Sequence, residues 1–261
     1  MVKKIFWDKG HGGADPGACG NGLRESDLTH AIVEYAMGYM NANYSGFEQR
    51  TSRAGDQTVP LGQRDDLADN WGADIFISVH INAGGGTGFE SYVYNGGVDA
   101  QTLALQKVLN DEILAAMRQF GNIQAHGGAA ARQDNFSVLR ETNMPAVLTE
   151  NLFIDSNDAQ YLKNTAFLQA VGEAHARAAA KHLGLPAQSP KQFFFYTGGY
   201  SGEGLAKIHS YLMGKGLGFT PSRGREGHLF FTVGPFQETA ASADVEGFLK
   251  ENGYWYSKQQ G

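Results

Sequence analysis

The run Ile75-Phe76-Ile77-Ser78-Val79-His80 restricts the fold of this chain more than any other segment. It is short, β-branched and aromatic, and apolar at both odd and even positions, so it reads as a strand buried on both faces that ends on a histidine. Residues 4–7, 89–94, 136–139 and 146–150 are further strand candidates, the last preceded by Pro145. Between them lie helical spacings. In 25–42 the apolar positions Leu28, Ile32, Tyr35, Ala36 and Tyr39 recur at three and four residues, and 61–71, 103–120 and 167–183 are the other helix candidates. Strands alternating with helices predict an α/β fold with a mostly parallel sheet flanked by helices. Chemistry in such sheets gathers beyond the carboxyl ends of the strands. His11 and His80 stand at such ends, and Glu150 closes the candidate at 146–150.

Composition narrows the classes. The 261 residues are 42% hydrophobic and 18% charged, enough to fill a core and unlike a disordered chain. A net charge of −6 argues against a nucleic-acid partner. The single cysteine, Cys19, cannot form an internal disulfide. No run of apolar residues is long enough for a membrane span, so no membrane insertion is expected. The first apolar stretch, Ile5-Phe6-Trp7, is broken by Asp8 and is too short for a signal-peptide core. The stretch GLPAQSPKQ at 184–192 reads as a boundary. It gives a first domain at 1–184, a linker at 185–191 and a second domain at 192–261. The second domain carries an internal near-repeat of aromatic strand, helix and strand, which predicts βαββαβ. Its aromatics Phe193, Phe195, Phe231, Tyr254 and Trp255 are expected in its core, with Tyr196, Tyr200 and Phe236 as candidates for a sugar-stacking face.

Four side chains carry potential chemistry. His11 sits among glycines in Gly10-His11-Gly12-Gly13, Glu25 opens a helix, His80 ends the buried strand and Glu150 ends another. Two histidines and a glutamate make a zinc set with one open position, and a nearby free carboxylate completes the kit for metal-assisted hydrolysis. The residues are far apart in sequence, so spacing alone leaves other roles open. Those are a loop histidine bonded to backbone, a satisfied strand-end histidine, a helix-start carboxylate favoured by the dipole and a carboxylate paired with arginine. Neither HExxH nor GxSxG occurs.

Residues 5–27 (IFWDKGHGGADPGACGNGLRESD), 76–82 (FISVHIN), 88–92 (GFESY) and 136–157 (FSVLRETNMPAVLTENLFIDSN) resemble the zinc-dependent N-acetylmuramoyl-L-alanine amidases of the amidase 3 family. The resemblance spans about residues 4–183. It implies a peptidoglycan hydrolase that cuts the amide between the lactyl group of N-acetylmuramic acid and L-alanine of the stem peptide. It also implies one Zn²⁺ on His11, Glu25 and His80, with Glu150 as the catalytic carboxylate. Arg140 and His126 are possible substrate contacts. Lys9 stands where the family usually has proline, and Asn151 is a second departure. The tail is similar to a SPOR domain, on its βαββαβ pattern and on Phe231-Thr232-Val233-Gly234-Pro235-Phe236. That resemblance implies binding to glycan strands. The alternatives are a zinc peptidase or carboxypeptidase acting on wall peptides and a non-catalytic wall-binding protein. The resemblance extends to phage endolysins and sporulation autolysins. The expectation is therefore synthesis in the cytoplasm without a standard signal peptide, and action on the wall after lysis of a host or mother cell or after non-standard release.

Overall fold

The structure is a computed structural model that describes residues 2–188, 193–224, 228–236 and 240–260. The chain divides into two compact units, Met1–Ala187 and Gln188–Gly261. Of the expected linker at 185–191, positions 189–191 lie outside the described residues.

The first unit runs β1 (Lys3–Lys9), β2 (Cys19–Gly20), β3 (Leu23–Arg24), α1 (Glu25–Asn43), β4 (Phe47–Thr51) and α2 (Leu61–Trp71). It continues through β5 (Ile75–Asn82), β6 (Phe89–Tyr94), α3 (Ala100–Met117), a 3-10 turn at His126–Gly128 and β7 (Ala131–Asp134). It closes with α4 (Ser137–Arg140), β8 (Ala146–Phe153), α5 (Ala159–Leu162) and α6 (Thr165–Leu183). Six strands form one sheet in the order β4-β1-β5-β8-β6-β7. Neighbours from β4 to β8 are parallel, β6 is antiparallel to β8, and β7 follows β6 in parallel. The sheet is therefore mixed, though mostly parallel. The loop between β5 and β6 is too short to hold a crossover helix, so β6 must run back.

Alternation along the strands sorts side chains between two helical layers. Ile5, Trp7, Ile75, Ile77, Val79 and Val147 join the core that α1, α3 and α6 cover. Phe6, Phe76, Ala146 and Leu148 face the other way, onto Ala68 of α2 and Val138 and Leu139 of α4. The second layer corrects one expectation. Residues 136–139 are not a strand: Arg140 and Glu141 donate to the carbonyls of Phe136 and Ser137 at 3.0 Å, the ladder of a helical turn. A run this short has no readable period, and burying the adjacent residues Val138 and Leu139 on one side suits a helix. Helices α3 and α6 begin earlier than their apolar periods because Asp99 and Asn164 cap them, accepting from the N–H groups of Thr102 and Ala166.

The second unit is β9 (Phe193–Tyr200), α7 (Gly202–Gly214), β10 (Phe219–Arg223), β11 (Leu229–Phe236), α8 (Ala240–Glu251) and β12 (Tyr256–Gln260). Its four strands pair antiparallel in the order β10-β11-β9-β12, which matches the expected βαββαβ order. Phe193, Phe195 and Phe231 fill its core with Ile208, Leu212, Val245 and Leu249. Three aromatics depart from expectation. Tyr200 and Phe236 are buried, because a register shift between β9 and β11 beside each of them breaks the strict alternation and returns it to the face of Phe195 and Phe231, whereas Trp255 is 64% exposed.

Candidate functional site

His11 and Glu25 stand beside element ends, whereas His80 and Glu150 lie within β5 and β8, which run on to Asn82 and Phe153 past the strand ends expected at His80 and Glu150. Strand β1 delivers His11 through Gly10, and His11 takes a left-handed backbone, φ 60°. Glu25 is the first residue of α1. His80 lies on β5 and is the register partner of Glu150 on parallel β8, so the two side chains share one face. His11 Nε2 stands 3.2 Å from Glu25 Oε2, and His80 Nδ1 stands 3.0 Å from Glu25 Oε1. The N–H groups of Ala18 and Ile81 fix the same carboxylate, at 2.9 and 3.0 Å. Asp15 accepts from His11 Nδ1 at 2.8 Å, which leaves Nε2 as the inward nitrogen.

Two glycines make room for this packing. A Cβ on Gly10 would stand 2.5 Å from His80 Cε1, and one on Gly17 would stand 2.7 Å from Glu25 Oε2. Lys9 is fully buried beside them; its Nζ reaches Glu34 at 2.5 Å and its N–H donates to Ser52 Oγ at 3.0 Å. Proline at this position would lose that second bond.

The electrostatics follow from the geometry. Burial alone would raise the Glu25 carboxyl, but hydrogen bonds and charge from His11 and His80 outweigh it and hold Glu25 far below the usual carboxylate range. Burial would lower His11, and Glu25 and Asp15 together raise it instead. Glu150 goes the other way: burial, and then the Glu25 and Glu90 carboxylates, push it well above its ordinary value. Its Oε2 is buried with no hydrogen-bond partner.

His11, Glu25, His80 and Glu150 line one cleft of about 600 Å³, with Pro60 and Leu61 on one wall and Phe136 and Val138 on another. His126 and Arg140 are not among its lining residues. His126 Nδ1 bonds Thr87 O at 2.9 Å and its ring rests on Phe153, while Arg140 bonds Glu141 and Asn135. Asn151 points to the opposite face, where its Nδ2 donates to His80 O at 3.1 Å.

Sequence reasoning missed the groups that hold the site. Asp8 is buried between Arg64 and Ser78, at 2.7 and 2.6 Å. Glu90, across the ladder from Glu150, is bound by Arg132, Tyr92 and Asn82. Its signal was a carboxylate inside an apolar strand. Arg53 and Arg64 gave no signal, since each follows a segment with little apolar pattern.

One ligand atom from each of His11, Glu25 and His80 lies within 4.8 Å of the others, so the donor set fits a metal ion. Convergent donors beside an unpartnered carboxyl in an α/β cleft are an arrangement that metal-assisted hydrolysis can use. The sequence pattern of the N-acetylmuramoyl-L-alanine amidase family matches residues 5–181. The chain belongs to that family and is an enzyme of that activity. It is 45% identical over 183 residues to N-acetylmuramoyl-L-alanine amidase CwlM of Bacillus licheniformis, covering 70% of this chain and 69% of the relative. It is 44% identical over 187 residues to a sporulation-specific N-acetylmuramoyl-L-alanine amidase of Bacillus subtilis, covering 71% and 70%. Among solved structures, an N-acetylmuramoyl-L-alanine amidase from Clostridium difficile 630 superposes with a TM-score of 0.64 at 27% identity, over 70% of this chain and 97% of that one.

Proposed function

We propose that His11, Glu25 and His80 hold one zinc ion and that Glu150 is the carboxyl that moves the proton when the enzyme cleaves the bond between N-acetylmuramic acid and L-alanine. The observation that carries this reading is the buried, unpartnered Oε2 of Glu150 in the same cleft as the convergent His–Glu–His donors. Zinc, when bound, supplies positive charge that polarises the amide carbonyl and makes water more acidic. The rest belongs to the chain. Glu150 takes a proton from the attacking water as its oxygen adds to the lactyl carbonyl carbon. It gives that proton to the alanine nitrogen as the carbon–nitrogen bond breaks. A carboxyl whose proton affinity is raised by burial and by Glu25 and Glu90 is suited to keep the proton until the amine leaves. Asp15 holds the His11 ring, and the N–H groups of Ala18 and Ile81 hold the Glu25 carboxylate. The reading assigns no contact with the scissile amide to His126 or Arg140.

The second unit is read as a SPOR-like module for glycan strands. Its βαββαβ order supports this, as do the exposed rings of Tyr196, Phe230 and Trp255. Phe230 and Trp255 flank Gly198, where a Cβ would stand 2.9 and 3.0 Å from the two rings.

Digestion of purified peptidoglycan tests the reading, with the protein as purified, after chelation and after zinc is restored, and with products read by mass spectrometry. The expected result is zinc-dependent release of peptides with a new free L-alanine amino terminus and intact glycan. Trimming at the far end of the peptide would transfer the reading to a carboxypeptidase. Intact sacculi in all three conditions would leave only a binding protein.

A further inference from the structure

Arg53 is buried to 3% exposure just beyond the end of β4. Its Nε donates to Lys9 O at 3.3 Å, and its Nη1 to Gly55 O at 2.7 Å. Its Nη2 reaches Gly10 O at 3.2 Å, Ser26 O at 2.7 Å and Thr29 Oγ1 at 3.1 Å. All of these acceptors are neutral oxygens. Burying a guanidinium on such partners is costly, and the fork geometry that satisfies them is peculiar to arginine. The placement of the acceptors is informative. Lys9 and Gly10 immediately precede His11, whereas Ser26 immediately follows Glu25. One nitrogen, Nη2, therefore spans the segments that carry two of the three ligands. Thr29 adds a parallel tie, donating its hydroxyl to Gly10 O at 2.9 Å. Arg64 completes the brace from the other side, on Lys9 O at 2.6 Å and His11 O at 2.9 Å. Gly12 wraps over the Arg53 stem, where a Cβ would stand 2.7 Å from Cδ.

We propose that Arg53 is a positioning residue that sets the separation of His11 from Glu25 and thereby the affinity of the site for its metal. The inference rests on the zinc reading above. Charge and geometry predict opposite signs here. A buried cation near the ligands repels a bound cation, so by charge alone its removal tightens metal binding. If Arg53 acts by position, its removal weakens metal binding.

The test uses the full chain as metal-free protein. Zinc affinity is measured by competition with a chromophoric chelator for the parent, Arg53→Lys, Arg53→Met and Thr29→Val, alongside thermal unfolding of each apoprotein. Arg53→Lys and Arg53→Met are expected to bind zinc about 10–100-fold more weakly, the usual range for lost outer-sphere support. Thr29→Val is expected to shift affinity in the same direction by less. The cobalt-substituted variants are expected to show altered ligand-field absorption, which a loss of stability alone does not produce. Unchanged or tighter zinc binding in folded Arg53 variants overturns the proposal. If Arg53→Met does not fold, Arg53→Lys and Thr29→Val decide the matter by the same criterion. A parent that binds no zinc overturns the zinc reading itself, an outcome distinct from a parent that binds zinc as its variants do.

Discussion

At the scale of single residues, adjacent positions on β8 do opposite jobs. Glu150 faces the cleft, and Thr149 faces α6, where its hydroxyl meets His175 Nε2 at 3.0 Å. His175 Nδ1 lies 2.8 Å from Val171 O, and burial, which outweighs this bond, lowers the ring's pKa to about 4 and favours its neutral form. Between this value and the ordinary histidine value near 6.5, the unfolded chain binds the proton and the folded one does not. Stability therefore falls as pH drops through that window, by about 3 kcal/mol from this group. Denaturant unfolding across pH 7 to 4 checks it: His175→Gln is expected to flatten the dependence, and an unaltered slope would remove His175 as its source. On the cleft side, Glu150→Gln is expected to retain one zinc per chain and lose about 10²–10⁴-fold in turnover, the range for a lost general acid–base. Metal analysis and muropeptide cleavage measured on the same sample decide it, and parental activity in the variant would end the role.

At the scale of elements, α1 sets the position of Glu25, and α1 itself is set by its packing on α6. Gly172 of α6 lies against the α1 backbone: a Cβ there would stand 2.4 Å from Ile32 O and 2.6 Å from Tyr35 Cβ. Backbone cannot yield as a flexible side chain can. Gly172→Ala is therefore expected to destabilise the first unit by about 1–3 kcal/mol, an overpacking cost, although alanine has the better helix propensity. Equilibrium urea unfolding reads the difference, and a stabilised variant would show that the helices part freely. The elements best legible in the sequence were those with a strong period or a largely apolar run: α1, β5, β6 and α6. The edge strands β4 (Phe47–Thr51) and β7 (Ala131–Asp134) were missed because an edge exposes polar residues and loses the apolar pattern. The turn α4 was misread for the opposite reason, an apolar run without length.

At the scale of the whole molecule, the two units divide the labour in the proposed reading, one cutting and the other holding glycan. Tethering raises the effective concentration of substrate at the cleft. The rings of Phe230 and Trp255 are each expected to contribute about 0.5–1.5 kcal/mol to stacking. Phe230→Ala combined with Trp255→Ala in the full chain is therefore expected to weaken pelleting with sacculi by about tenfold, while cleavage of a small soluble muropeptide stays near parental. Equal loss of both activities would tie the second unit to catalysis instead of tethering.

The sequence by itself determined the alternation of strands and helices, the two-unit organisation, the βαββαβ tail and the four side chains that the cleft gathers. Those properties are written in local periodicity and in short motifs around single residues. Only the tertiary structure decided that β6 runs against β8, that 136–139 is helical, that Trp255 is exposed and Tyr200 buried, and that Arg140 and His126 stand outside the cleft. It alone brought Glu90 beside Glu150, and Arg53 across the segments flanking His11 and Glu25. Such placements depend on contacts between residues distant in sequence, and a guanidinium bound to backbone carbonyls leaves no residue pattern at its partners, because every residue type carries a carbonyl.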